Sequence, residues 1–176
     1  MKDYNKIFGD LSTIKEFKKK EIIIEQGTIE NHLSFIIKGC VAVLTYHDGN
    51  EICTNFCIKN SFFSSYVSFL KREPSKFYIL AIEDTIIEQI DYESLEKAYS
   101  LSANHQKYGR NIAENLYIKS NERILSLITK TAEERYIQFI EEHSDFMQHI
   151  PLKYLATYLG ITPVSLSRLR NKIIKK

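Results

Sequence analysis

Residues 150–174 read IPLKYLATYLGITPVSLSRLRNKII. Pro151 stands where a helix can open, because its missing N–H is not needed there. Leu152, Leu155, Ala156 and Leu159 follow at helical spacing as one apolar stripe. Gly160 sits where a left-handed residue ends a helix, and Ile161 plugs the corner. Thr162 is a good N-cap and Pro163 takes the first position of a second helix, whose buried stripe is Leu166, Leu169 and Ile173. The spacing predicts two short helices joined by a tight turn, the second with an exposed polar face. That is the pattern of a helix-turn-helix that reads DNA.

At about 100° per residue, Val164, Ser167, Arg168 and Asn171 point away from the buried stripe. Folding gives Val164 no reason to face outward, whereas a DNA groove does, since a thymine methyl is an apolar partner. Arg168 can pair bidentately with guanine O6 and N7, which is worth about 1–3 kcal/mol of discrimination. Asn171 can read adenine but lies a turn further on. Thr162 and Ser165, beside Pro163 and the amides at the helix start, suit phosphate oxygens. Lys153, Arg170, Lys172, Lys175 and Lys176 are candidate non-specific phosphate contacts. The plainer reading of the same residues is a helical hairpin with a basic, solvated face. Cap, glycine, proline and outward valine together favour the DNA-reading one.

Charge points the same way. Residues 146–176 hold six Lys/Arg and no Asp/Glu, and the rest of the chain holds 18 against 22. The formal net charge of +2 therefore hides a polarised molecule whose positive end coincides with the helix pair.

Working back from that end, residues 131–142 predict a helix that brings Tyr136, Phe139 and Ile140 under the pair. Residues 102–129 lack Pro, carry Gly109 as their only Gly, and predict a long helix. Ile112, Leu116, Ile124, Leu127 and Ile128 form one stripe of it; Leu101, His105, Tyr108, Ile112 and Asn115 follow a looser seam spacing. DYESLEKAYS before it reads as a short helix. Residues 21–91 are β-rich, with EIIIE, LSFIIK, VAVLTY, EICTNFCI, KFYILA and TIIEQI as strand candidates. Asp48-Gly49 marks a hairpin that needs positive φ, and a helical turn can interrupt Ser61 to Lys71. Six strands with turns between them predict a jelly-roll-like sandwich. Ile7, Phe8, Leu11, Ile14 and Phe17 predict a short N-terminal helix packed on it. The fold class is α+β.

No apolar run approaches the roughly 18–20 residues of a membrane span, and MKDYNKIFGDL has no apolar signal core, so a soluble cytoplasmic protein without a membrane partner is expected. Three Cys argue against a disulfide framework. Alternation places Cys53 and Cys57 on one strand face about 13 Å apart, too far to share a metal. The five His residues are scattered, with no HxH or HExxH spacing. There is no Gly-rich phosphate loop, no GxSxG elbow and no plausible triad. No catalytic residue, metal or cofactor is expected, and the chain does not read as an enzyme.

The motif YLATYLGITPVSLSRLR, the stretch KKKEIIIEQG (18–27), LSFIIKGCVAVLTYHDGNE (33–51) with Gly39 and Gly49 at its turns, and TAEERY (131–136) together resemble the Crp/Fnr family of bacterial transcription regulators. The resemblance implies a cyclic-nucleotide-binding-like β-roll sensor domain over residues 1–100, a dimerising helix over 101–129 and a helix-turn-helix DNA-binding domain over 130–176. It implies a homodimer that reads a pseudo-palindromic site in double-stranded DNA, with a small-molecule effector and RNA polymerase as further partners. Two departures stand out. In the stretch NSFFSSYVSFLKREPSKFYILA (60–81), Ser64, Ser65 and Ser75 replace the Gly, Glu and Arg of the family's nucleotide cassette. Losing a fixed cation for a buried phosphate is a large change, so the effector pocket at these serines is expected to take a small neutral ligand or none, and not cyclic AMP. Second, only HSDFMQHI (143–150) separates the last helices, which leaves a minimal wing. The alternative is a ligand-sensing module with weak or lost DNA binding.

Overall fold

The computed structural model describes residues 8–174. Two four-stranded antiparallel sheets build the β half. One runs β1 (Thr13–Phe17), β8 (Thr85–Asp91), β3 (His32–Lys38), β6 (Phe62–Phe63); the other runs β2 (Ile22–Ile24), β7 (Tyr78–Ala81), β4 (Cys40–His47), β5 (Asn50–Ile58). All six strand candidates form, and β1 and β6 are additional. The β4–β5 hairpin turns on Asp48 and Gly49, both at positive φ.

β1 corrects the N-terminal expectation. Ile7 lies outside the described residues, a 3-10 turn covers Gly9–Leu11, and Thr13–Phe17 is a strand rather than a helix. It pairs along β8 from Thr13↔Gln89 to Phe17↔Thr85. Ile14 and Phe17 lie three apart, a helical spacing that puts them on opposite faces of a strand, and pairing along β8 overrides that local period.

The second sheet is apolar on both faces. Inward, Val41, Cys57 and Ile79 meet Ile36, Phe63 and Ile87 of the first sheet. Outward, Cys40, Ala42, Leu44, Cys53, Phe56, Tyr78 and Ile82 share one core with residues of the C-terminal helices. The expected common face for Cys53 and Cys57 is therefore overturned. Leu44 pairs with Cys53 but Val43 with Asn55, so Thr54 is an extra, bulged residue. One inserted residue flips every side chain beyond it. Each of the three cysteines is buried and free; burial pushes the Cys57 thiol up to about 12 and raises the Cys40 and Cys53 thiols further.

Asp91 accepts from the Ser94 amide at 2.9 Å and caps α2 (Tyr92–Leu101); Ser102 accepts from the His105 amide at 3.3 Å and caps α3 (Ala103–Thr129). A short α1 (Tyr66–Lys71) interrupts the roll. Ile112 of α3 is buried against Leu33, Phe69, Ile90 and Leu95 of its own roll and α2. The expected seam through Leu101, Tyr108 and Ile112 is thus not a single free face. The apolar residues that α3 leaves exposed lie mainly further on, at Tyr117, Ile118, Ile124, Leu125 and Ile128. α4 (Ala132–His143) contributes Tyr136 and Phe139 to the shared core, and a 3-10 segment, Ser144–His149, leads to the last two helices. No described helix is long and apolar enough to cross a membrane.

Candidate nucleic-acid interface

α5 (Leu152–Tyr158) and α6 (Pro163–Ile174) are joined by a four-residue turn, Leu159–Thr162. Gly160 has φ 71°, the Ile161 amide donates to Ala156 O at 3.0 Å, and the Gly160 amide donates to Thr157 O at 3.0 Å. This closing pattern satisfies the last carbonyls of α5 and needs a left-handed residue at position 160. Thr162 Oγ1 accepts from the Ser165 amide at 3.1 Å, and Pro163 follows as the first residue of α6. Leu155, Ala156, Leu159 and Leu166 are fully enclosed, with Leu169 and Ile173 beside them. Leu152 departs from its expected stripe: it is 36% exposed, and Tyr154 takes its place in the core. Tyr154 packs in the core shared with the outer face of the roll, and Leu152, two residues earlier, points to another side of α5.

The opposite side of α6 faces outward. Val164 is 62% exposed, and Thr162, Pro163, Ser165, Ser167, Arg168 and Asn171 are exposed with it. Val164, Ser167, Arg168 and Asn171 share one helical face, while Thr162 and Ser165 sit at its start with their hydroxyls 3.0 Å apart. Ser167 Oγ donates to Pro163 O at 3.0 Å. Among the described residues neither Arg168 nor Arg170 is in an ion pair. Two of the four candidate phosphate lysines differ from that. Lys153 Nζ meets Glu51 Oε2 at 2.5 Å, and Lys172 Nζ meets Glu133 Oε2 at 2.5 Å. Lys175 and Lys176 lie outside the described residues.

Two arginines that the sequence reading passed over hold the pair in place. Arg135 of α4 donates from Nε and Nη2 to Leu159 O at 3.1 and 2.7 Å, and from Nη1 to Lys130 O. It thereby caps α5 and the end of α3 together. Arg123 of α3 donates from Nε to Thr54 O at 3.3 Å and from Nη2 to Tyr158 O, and its guanidinium lies 3.7 Å over the Tyr158 ring. Neither has a sequence signal beyond being basic, because both recognise backbone carbonyls.

The serine cassette lies apart from this face. Ser65 and Ser75 are buried and bonded to each other through their hydroxyls at 2.7 Å; Ser75 Oγ also donates to Phe77 O and accepts the Phe77 amide. Ser64 instead donates to His32 O at 3.0 Å. Glu30, also overlooked, is buried beside them. Its carboxylate accepts from the His32 amide at 2.8 Å and, at 3.5 Å, from the Ser65 amide. Burial holds its carboxyl above the usual range against those amides. Arg72 is spent structurally: Nη1 donates to Glu30 O at 2.8 Å and Phe69 O at 3.1 Å, and the guanidinium covers the Tyr92 ring at 4.5 Å. No His/Cys/Asp/Glu group among the described residues could hold a metal ion.

The antiparallel β-roll, flanked by helices and followed by the long α3, is the architecture of a cyclic nucleotide-binding-type domain. The family model for the cyclic nucleotide-binding domain matches residues 14–101, half of the chain, and the chain belongs to that family. No curated protein matches its sequence. Its fold is similar to that of FixK2 from Bradyrhizobium japonicum, at TM-score 0.80 and 20% identity over 93% of this chain and 85% of that one. It is also similar to the c-di-GMP-responsive global regulator CLP of Xanthomonas campestris, at TM-score 0.74 and 15% identity over 94% and 87%. A third likeness is to a Eubacterium rectale protein assigned to the Crp/Fnr family of transcriptional regulators, at TM-score 0.74 and 19% identity over 96% and 81%.

Proposed function

We propose that this protein is a DNA-binding transcription regulator that acts as a homodimer. α5 and α6 form its helix-turn-helix, with α6 in the major groove of double-stranded DNA. Val164, Ser167 and Arg168 choose the sequence, Asn171 adds a contact at the far end, and Thr162, Pro163 and Ser165 sit against phosphates. Lys153, Arg170 and Lys172 supply non-specific affinity. The observation that carries this reading is the outward face of α6, where an apolar Val164 and an Arg168 without an ion pair among the described residues stand side by side in solvent. An exposed arginine is ordinary, but an apolar side chain beside it on a polar face suits a groove that presents thymine methyls.

Residues 1–100 would serve as the sensing roll, 101–129 as the dimerising helix and 130–176 as the DNA-binding unit. Two copies of α6 about 34 Å apart would then read successive grooves of an imperfect palindrome. Cyclic AMP would not be the effector: the hydroxyls of Ser65 and Ser75 satisfy each other, and Arg72 is committed to backbone carbonyls. A small neutral ligand at Ser64, Ser65 and Ser75, or none, suits this lining.

The test is selection of bound duplexes from a random pool, followed by gel-shift titration with and without cyclic AMP. An enriched palindrome whose affinity is indifferent to cyclic AMP is the expected result. A pool that shows no enrichment overturns the DNA reading, and a large gain with cyclic AMP overturns the effector reading.

A further inference from the structure

β5 ends its sheet, so its outer edge carries backbone groups that the sheet cannot pair. One four-residue stretch of that edge grips α5. The Cys53 amide donates to Thr157 Oγ1 of α5 at 3.0 Å and Glu51 Oε2 accepts from Lys153 Nζ of α5 at 2.5 Å, while Thr54 O accepts from Arg123 of α3, which also donates to Tyr158 O at the end of α5. Glu51 is itself fixed: its other oxygen accepts from Tyr78 Oη at 2.5 Å and lies 3.4 Å from Tyr154 Oη. The Lys153 ammonium also lies 4.6 Å over the Tyr154 ring, and its side chain stays 58% exposed. An acid of the roll thus holds, in a reachable place, the one cation that α5 offers to DNA.

We propose that Glu51 competes with a DNA phosphate for the ammonium of Lys153, so that the grip of β5 on α5 restrains DNA affinity until it opens. This rests on the DNA reading of α5 and α6 given above. A carboxylate and a phosphate oxygen accept the same charge-assisted hydrogen bond. While Glu51 has it, a DNA complex forms with one fewer neutralised phosphate. Glu51 lies three residues from Asp48 at the exposed turn of the β4–β5 hairpin. A ligand or partner that shifts this hairpin would therefore release Lys153 directly.

The test compares wild type, Glu51→Gln, Lys153→Gln and the double variant, each as the full chain, by binding to random-sequence duplex across a salt series. Glu51→Gln is expected to bind severalfold more tightly at low salt and to steepen the slope of log K against log salt by about 0.9, the value of one more phosphate. In the Lys153→Gln background the same change should do nothing. Tyr78→Phe removes a hydrogen bond from Glu51 but leaves the ion pair, and should keep the wild-type slope. If wild type binds duplex and Glu51→Gln matches it in affinity and slope, the competitor role is wrong and the DNA reading stands. A gain that persists without Lys153 also overturns the role, because it then comes from loosened packing or general charge. If none of the four proteins binds duplex, both readings fall together.

Discussion

The Cys53 amide on β5 donates a hydrogen bond to Thr157 Oγ1 on α5, 3.0 Å away across 104 residues of sequence. An edge strand with unpaired amides invites aggregation unless something covers it. Here the C-terminal helices do so, and the core runs from Leu44 and Phe56 of the roll into Leu155, Leu159 and Leu166 without a break. The helix pair and the roll are one packed unit within this chain.

That continuity predicts how the protein unfolds. Leu159→Ala, at a fully buried site between the two parts, should cost about 2–5 kcal/mol. The transition should stay single, with far-ultraviolet circular dichroism and tyrosine fluorescence coinciding in a denaturant titration. Two separated transitions in the wild type would contradict a shared core.

At the reading face, Arg168→Ala should relax preference at one base position by about 1–3 kcal/mol and leave the others alone. Selected-site sequences from wild type and variant give the comparison. An unchanged preference would mean that the register assigned to α6 is wrong.

Gly109 makes an unusual forecast. Replacing a mid-helix glycine by alanine normally helps by about 1 kcal/mol, yet a Cβ here would fall 2.1 Å from Tyr99 Oη and 2.3 Å from its Cε1. Gly109→Ala should instead destabilise by about 1–3 kcal/mol, the usual range for overpacking. Denaturation in a Tyr99→Leu background should show that penalty shrink.

Ile124 and Ile128 are exposed on α3 at helical spacing, with Tyr117 two turns before Ile124. If this stripe meets its twin in the dimer, Ile124→Glu with Ile128→Glu should yield a folded monomer in sedimentation and weaken operator binding by orders of magnitude. A variant still dimeric would move the interface elsewhere on the chain.

The hydrogen bond from Lys153, followed by that from Tyr78, holds the Glu51 carboxyl below the ordinary glutamate range. A carboxyl depressed by folding contributes fully above its unfolded value and loses that contribution as pH falls through its folded one. The stability advantage of wild type over Glu51→Gln should therefore be level near neutral pH and vanish on acidification below the carboxylate range. Paired denaturation curves across pH check it, and an advantage that persists into strong acid would count against the ion pair.

Much of this molecule is legible from local pattern. Leu155, Ala156, Leu159, Gly160, Thr162 and Pro163 each obey a short-range rule, and the strand candidates are set by alternation and turns. Sequence falters where strand pairing overrides a helical spacing, as at Ile14 and Phe17, or where one inserted residue resets alternation, as at Thr54 between Cys53 and Cys57. It is silent on the roles of Arg123, Arg135 and Arg72, each of which reaches at least one carbonyl far away in the chain, and on Glu30, whose partners are distant amides as well as near ones.

By itself, then, the sequence determined most of the elements, though not β1 and β6, together with the helix pair and the polar face of α6, because each depends on neighbours within a few residues. Only the tertiary structure decided that Ile112 turns to its own roll, that Ser65 and Ser75 satisfy each other, and that Lys153 is held by Glu51. Those outcomes depend on which edges and faces meet, and residues far apart in the chain reach each other only once the core has closed.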